Sequence, residues 1–156
     1  MKRLLLISLF VCLAFSCEDE IYSPIPWAPV NFQLNLNGGD NDKGDSILNG
    51  MLSYKIFTQR RADTDRLGYG GLLVINAMGV NALNLKAYDL ACPVEVDPHI
   101  KIKPDAEGLT ATCPKCGAVY NISSNGASSS GSKHPLKQYN VVVYGQGVSG
   151  TYIVTN

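Results

Sequence analysis

Short runs of branched and aromatic residues, separated by turn residues, recur along most of the chain. They are LSYKIFT, GLLVINA, LKAYDL, IKIK, LTATC, AVYNI, QYNVVVY and GTYIVTN. No stretch carries the sustained 3.6-residue hydrophobic period of an amphipathic helix. NFQLNLN alternates apolar and amide residues, which predicts a strand with one buried face, and residues 37–46 predict a solvated turn. The pattern predicts an all-β, antiparallel sandwich or small barrel.

The first residues predict an export signal. Two basic residues precede an apolar run that ends at Phe15 and is followed by a small residue and Cys17. The run has about a dozen residues, whereas a membrane-spanning helix needs roughly 20. AFSC resembles the bacterial lipobox, in which the cysteine is acylated through its thiol and becomes the first mature residue. We therefore expect residues 1–16 to be a signal peptide and Cys17 the lipidation site, with an ordinary signal peptide cut near Ser16 as the alternative.

The predicted maturation determines location, charge and domain organisation. The acidic residues after Cys17 resemble the sorting signal of Bacteroidota lipoproteins, so we expect an exported outer-membrane lipoprotein, either periplasmic or surface-exposed. Loss of the leader leaves 11 basic against 13 acidic residues, which gives no basic surface for nucleic acid. The lipid is the expected membrane contact, and a protein partner stays unknown. Residues 17–30 contain three prolines and predict an extended tether, and residues 31–156 predict one domain.

Three cysteines remain in the mature domain if the lipid anchor uses the first: Cys92, Cys113 and Cys116. Both Cys92 and Cys113 follow a strand-like run and precede a proline. A proline in that place fixes a tight loop, whose thiolate and backbone amides can face a common point. We therefore expect the two loops to face each other across one site. An odd number of cysteines leaves one thiol over if two form a disulfide.

The order of these motifs resembles a Rieske iron–sulfur domain, in which one loop reads C-P-H and the other C-P-x-H-G. GGLLVI and YDLACP lead into the first loop, CGAVYNISSNG leaves the second, and HPLKQYNVVV and GTYIV follow in the family's order over residues 51–156. The resemblance implies an antiparallel Rieske-like fold with two cysteine-bearing loops. It also implies that Cys92 and Cys113 match the two cysteine ligands of a 2Fe-2S cluster.

The chain departs from the family at the two histidine ligands. Val94 stands at the first histidine position and has no donor atom, and Cys116 stands at the second. A 2Fe-2S cluster would therefore lack one ligand, for which Glu95 and His99 are candidates. A carboxylate suits a soft cluster poorly. His134 lies in a Ser/Gly-rich stretch, residues 123–135, that predicts a loop.

Three interpretations of the thiols stay open. In the first, the cluster is lost, and the resemblance implies a disulfide from Cys113 to Cys92 or Cys116; closing a ~20-residue loop contributes on the order of 3 kcal/mol. In the second, three thiolates and one further ligand hold an atypical 2Fe-2S cluster that carries electrons. In the third, the thiolates bind zinc, since C-x-x-C is also a zinc knuckle. The sequence favours the first, because exposed thiols outside the cytoplasm tend to oxidise.

The sequence carries no catalytic constellation. It has no Ser/His/Asp spacing, no phosphate loop and no HExxH motif. We therefore expect no catalytic residues and an accessory, binding or structural role for a membrane-anchored Rieske-like domain. Electron transfer through an atypical cluster is the alternative, and zinc binding or thiol redox chemistry is a further one.

Overall fold

The computed structural model describes residues 22–37, 44–77, 83–144 and 151–156. The predicted signal peptide, Cys17 and the first part of the tether lie outside the described residues, as does most of the turn predicted at 37–46. Within the described ranges, no helix has the length and apolarity needed to span a bilayer.

The described residues form eleven strands and one short 3-10 helix, Asp45–Asn49. The strands are β1 (Val30–Asn35), β2 (Tyr54–Phe57), β3 (Arg66–Leu67), β4 (Leu72–Asn76), β5 (Leu85–Asp89), β6 (Lys103–Pro104), β7 (Thr110–Thr112), β8 (Val119–Asn121), β9 (Ser128–Ser130), β10 (Gln138–Tyr144) and β11 (Thr151–Thr155). All pairings between them are antiparallel. The predicted all-β, antiparallel class is confirmed.

The strands form two sheets. Seven strands make a nearly closed, barrel-like sheet in the order β2-β4-β5-β10-β11-β1-β3. The other four make a separate sheet in the order β6-β7-β8-β9. The second cysteine loop connects β7 to β8, so it is held by the small sheet rather than by the barrel-like sheet.

Burial along the strands follows the hydrophobic pattern. In β1, Phe32 and Leu34 are buried and Gln33 is exposed, as the alternation predicts. In β4, all five residues are buried. Leu72 and Val74 pack in the core of the barrel-like sheet, whereas Leu73 and Ile75 pack in a second core that includes Cys92 and Cys113. Strand β4 therefore has one face in each of two cores, which is why its sequence is continuously apolar.

Two sequence predictions of irregular structure were wrong in part. β9 lies inside the Ser/Gly-rich stretch predicted as a loop, where it pairs with β8 across a register shift. The 3-10 helix begins within the predicted solvated turn, and its first residue is buried. IKIK yields only an isolated bridge between Ala91 and Lys101 and the first residue of β6. β9 and the bridge at Lys101 depend on pairing with a neighbouring segment, which the apolar pattern of the segment itself does not contain.

Asp45, at the start of the 3-10 helix, is a fully buried carboxylate. The guanidinium of Arg61 binds both of its oxygens, and Lys55 Nζ lies 3.1 Å from Oδ1. Burial alone would raise the pKa of Asp45, but hydrogen bonds from Arg61, a backbone amide and Lys55, with the charge of Arg61, hold it below its ordinary value. The guanidinium also lies over two rings of the first core, Phe32 and Phe57. This ion cluster is part of the barrel's core rather than of the cysteine site.

The described part of the predicted tether lies against the domain. Residues 22–29 have no regular secondary structure, and β1 begins at the last residue of the predicted tether. Ile25 is 4% exposed, and Lys137 Nζ donates to two carbonyl oxygens of the segment at 2.9 and 3.3 Å. A ring nitrogen of His134 lies 3.1 Å from the carbonyl oxygen of Tyr22. Contacts with the domain therefore begin at the first described residue.

Candidate metal site

A buried carboxylate supports the backbone that leads into the first cysteine loop. Asp89 ends β5 and is fully buried. Its Oδ1 accepts hydrogen bonds from the N–H groups of Gly70 and Ala91, at 2.9 and 2.8 Å. Its Oδ2 accepts from the N–H of Tyr69 and the hydroxyl of Tyr139, both at 2.7 Å. Asp89 was not among the predicted site residues, although a lone acid between an apolar strand and a cysteine loop was a signal.

The first cysteine loop is a tight turn that begins at Cys92. The Cys92 N–H donates to the carbonyl of Ile100 at 3.1 Å, and the Val96 N–H donates to the Cys92 carbonyl at 2.9 Å. Val96 has φ 50°, the left-handed region that a β-branched residue rarely adopts. The hydroxyl of Tyr69 donates to the Val96 carbonyl at 3.1 Å. These bonds fix the loop around a buried Cys92 side chain.

The second cysteine loop connects β7 to β8. The Cys113 N–H donates to the Ala118 carbonyl at 2.9 Å, and the Gly117 N–H donates to the Cys113 carbonyl at 3.0 Å. Gly117 has φ 74°, which glycine adopts without the strain that a side chain would cause. Cys113 is buried and Cys116 is exposed. The loop therefore places one thiol inside the second core and one at its surface.

The two loops face each other, as the sequence predicted for Cys92 and Cys113, and they bring all three thiols together. The sulfur atoms of Cys92, Cys113 and Cys116 all lie within 4.8 Å of one another. The sulfurs of Cys92 and Cys116 are 3.6 Å apart, well beyond a disulfide bond length of about 2.05 Å. All three are free thiols in this structure. The tyrosine hydroxyl of Tyr120, buried in the same core, lies 3.7 Å from Cys92 Sγ.

Backbone amides differentiate the thiols. Burial raises the pKa of Cys113, but N–H groups of Cys116 and Lys115, with the neighbouring thiols, outweigh burial and lower it. The exposed Cys116 turns its sulfur toward the other two, and its partial desolvation, with hydrogen bonds that its thiol donates to Cys113 and Cys92, raises its pKa to about 11. Cys113 is therefore the favoured thiolate, and a metal ion that binds here displaces protons from its neighbours.

The predicted fourth ligands lie outside the sulfur group. Among the described residues, the gathered ligand atoms are the three sulfurs, without Glu95 or His99. The carboxylate of Glu95 is 2.6 Å from Lys115 Nζ, and the His99 N–H donates to Asp97 Oδ1 at 2.8 Å. Val94 is 44% exposed. Among the described side chains, the three cysteines are therefore the ones that place a ligand atom at the site.

The sulfur positions are compatible with one tetrahedral metal ion. Zinc–sulfur bonds of about 2.3 Å hold tetrahedral sulfur ligands about 3.8 Å apart, close to the 3.6 Å between Cys92 and Cys116.

Three comparisons with known proteins found no match: no family matches the chain, and no curated protein and no solved structure matches it. Function therefore has to be argued from the site itself rather than from a relative.

Proposed function

We propose that this chain is a membrane-anchored β domain that binds one tetrahedral metal ion, zinc first of all, through Cys92, Cys113 and Cys116. The observation that carries the proposal is the convergence of three free thiols within 4.8 Å at two tight loops. Thiolates are the ligands that zinc takes in knuckles of this type. Bound metal would join the two loops and shape the surface around them, which suits an accessory or binding role.

The surroundings of the thiols support metal binding over mere packing. Cys113 Sγ receives hydrogen bonds from two backbone N–H groups, and the sulfur of Cys116 receives one from Ala118. These donors stabilise negative charge on sulfur, and a thiolate rather than a thiol is the form that binds metal. The sequence favoured a disulfide over zinc, and the spacing of the free thiols supports the opposite order.

The proposal includes the lipid anchor at Cys17 and export to the outer membrane. Its support is the lipobox-like AFSC and the apolar leader before it. Tyr22, only five residues after Cys17, already contacts the domain through His134. A fully extended chain of five residues spans at most ~18 Å, so an acylated Cys17 would keep the domain close to the bilayer surface.

Elemental analysis of protein purified anaerobically from its native host tests the proposal. We expect about one zinc per chain, no labile sulfide and no visible absorption. Cys92→Ser and Cys113→Ser should each lose the metal. Cys17→Ser is the matched control, because it removes a cysteine outside the site: it should keep the zinc and lose partition into detergent.

Two results would overturn the metal assignment. About two irons and two labile sulfides per chain, with visible absorption, would establish an atypical 2Fe-2S cluster and electron transfer instead. A metal-free protein with a single reactive thiol after anaerobic denaturation would establish the disulfide interpretation.

A further inference from the structure

The two cysteine loops follow the same backbone path. Each begins with Cys-Pro and continues through a three-residue turn. In each, the N–H of the fifth residue donates to the carbonyl of the cysteine, at 2.9 Å from Val96 and 3.0 Å from Gly117. Both fifth residues have positive φ, 50° and 74°. The loops at 92–96 and 113–117 are therefore structural equivalents, although their sequences, CPVEV and CPKCG, share only the first two letters.

The first loop keeps this shape against the preference of its sequence. Gly117 adopts a positive φ freely, whereas Val96 has a β-branched side chain that crowds the backbone in that conformation. The hydroxyl of Tyr69 holds the Val96 carbonyl in place. Strain of this kind persists where the surrounding structure enforces it, and it collects at functional sites.

Equivalent loops place equivalent positions at the metal. The fourth residue of the second loop is Cys116, whose sulfur belongs to the site. The fourth residue of the first loop is Glu95. From this equivalence, and resting on the proposed function, we infer that Glu95 is the fourth ligand, so that each loop supplies its first and fourth residues to one zinc ion. Zinc accepts carboxylate oxygen at about 2.0–2.2 Å beside thiolates.

Lys115 holds that carboxylate before metal arrives. Its Nζ lies 2.6 Å from Glu95 Oε2, and the two side chains come from opposite loops. The lysine side chain is 62% exposed and the glutamate side chain 14% exposed. An ion pair with a solvated partner contributes little to stability, so the carboxylate can exchange the ammonium for the metal. Lys115 thus keeps Glu95 beside the site without occupying the metal position.

Anaerobic zinc titration against a chromophoric chelator, with cobalt as a spectroscopic probe, tests the ligand. Glu95→Gln should weaken zinc binding by at least about tenfold and alter the cobalt ligand-field bands. Lys115→Gln should not weaken binding, because it removes only the competing ammonium. Glu95→Cys should intensify the thiolate-to-cobalt charge-transfer band. Glu107→Gln is the matched control, an exposed glutamate in another loop, and should leave affinity and spectrum unchanged.

The outcomes separate this inference from the proposed function. Wild-type protein that binds neither zinc nor cobalt would overturn the metal site as a whole. Wild-type protein that binds zinc while Glu95→Gln keeps the same affinity and the same cobalt spectrum would overturn Glu95 alone. Weaker binding by Lys115→Gln would also contradict the exchange of partners. Circular dichroism of each variant establishes that the fold is kept, and Glu95→Cys carries the test if Glu95→Gln does not fold.

Discussion

Replacement of Asp89 by asparagine should destabilise the domain and loosen the first cysteine loop. The carboxylate is fully buried and accepts four hydrogen bonds, two on each oxygen. Three of the donors are backbone N–H groups, including that of Ala91, which immediately precedes Cys92. An asparagine keeps the shape but changes one acceptor oxygen into an amide donor.

The magnitude follows from which donors lose their acceptor. If the amide nitrogen replaces Oδ2, the Tyr139 hydroxyl can rotate and accept from it, so only the Tyr69 N–H is left without a partner. One unsatisfied N–H costs about 1–3 kcal/mol, and the other bonds lose the strengthening of a charged acceptor. We expect Asp89→Asn to lower the free energy of unfolding by roughly 2–4 kcal/mol, a large part of the ~5–15 kcal/mol typical of a domain.

Urea unfolding of wild type, Asp89→Asn, Tyr139→Phe and the double variant measures this cost. Tyr139→Phe removes one hydrogen bond to a charged acceptor and should cost about 1.5–3 kcal/mol. Because both changes act on the same oxygen, the double variant should lose less than the sum of the single losses. Asp89→Asn should also weaken zinc binding. A loss below about 1 kcal/mol for Asp89→Asn, or strictly additive losses, would refute the role given to this carboxylate.

Three further predictions concern other parts of the molecule. Tyr120→Phe removes the hydroxyl 3.7 Å from Cys92 Sγ and should weaken zinc binding about tenfold in a chelator competition, because groups that contact ligands tune affinity; unchanged affinity would contradict this. The pKa of Asp45 lies below 3.8, so the stability from its ion pair with Arg61 is fully present above that pH and is lost as the pH falls through the lowered pKa. Asp45→Asn should therefore lower the free energy of unfolding by about 3 kcal/mol at neutral pH. It should also make stability fall less steeply at acidic pH, and urea midpoints that keep the wild-type pH dependence would contradict it. Trp27, the single tryptophan and 74% exposed, should shift its fluorescence to the blue and be quenched by brominated lipids when the acylated protein is in vesicles; emission unaffected by such lipids would place it away from the bilayer.

The hydrophobic pattern predicted most of the fold because most strands bury at least one face. β1 alternates, and β4 is continuously apolar since each of its faces lies in a core. β9 was missed because three serines carry no burial signal and are exposed or half-buried. Its pairing with β8 comes from the tertiary structure. Asp45 was placed in a solvated turn because its ion-pair partner Arg61 lies 16 residues further along the chain.

The site was predictable in its thiols but not in its geometry. The order of the two Cys-Pro loops indicated that Cys92 and Cys113 lie together, and the structure adds Cys116 at the same point. The equivalence of the loops could not be predicted, because valine at position 96 argues against the left-handed conformation that it adopts. Without that conformation, Glu95 has no defined relation to Cys116.

X-ray absorption at the zinc edge of the anaerobically purified protein tests the account most directly. A single ion held by Cys92, Cys113 and Cys116 predicts three sulfur neighbours at about 2.3 Å and one lighter atom at about 2.0 Å. The spectrum should contain no metal–metal scattering. Iron in place of zinc, with iron–iron scattering and bridging sulfide, would contradict the single-ion site. So would zinc surrounded only by oxygen and nitrogen, because the three thiols would then have no part in binding it.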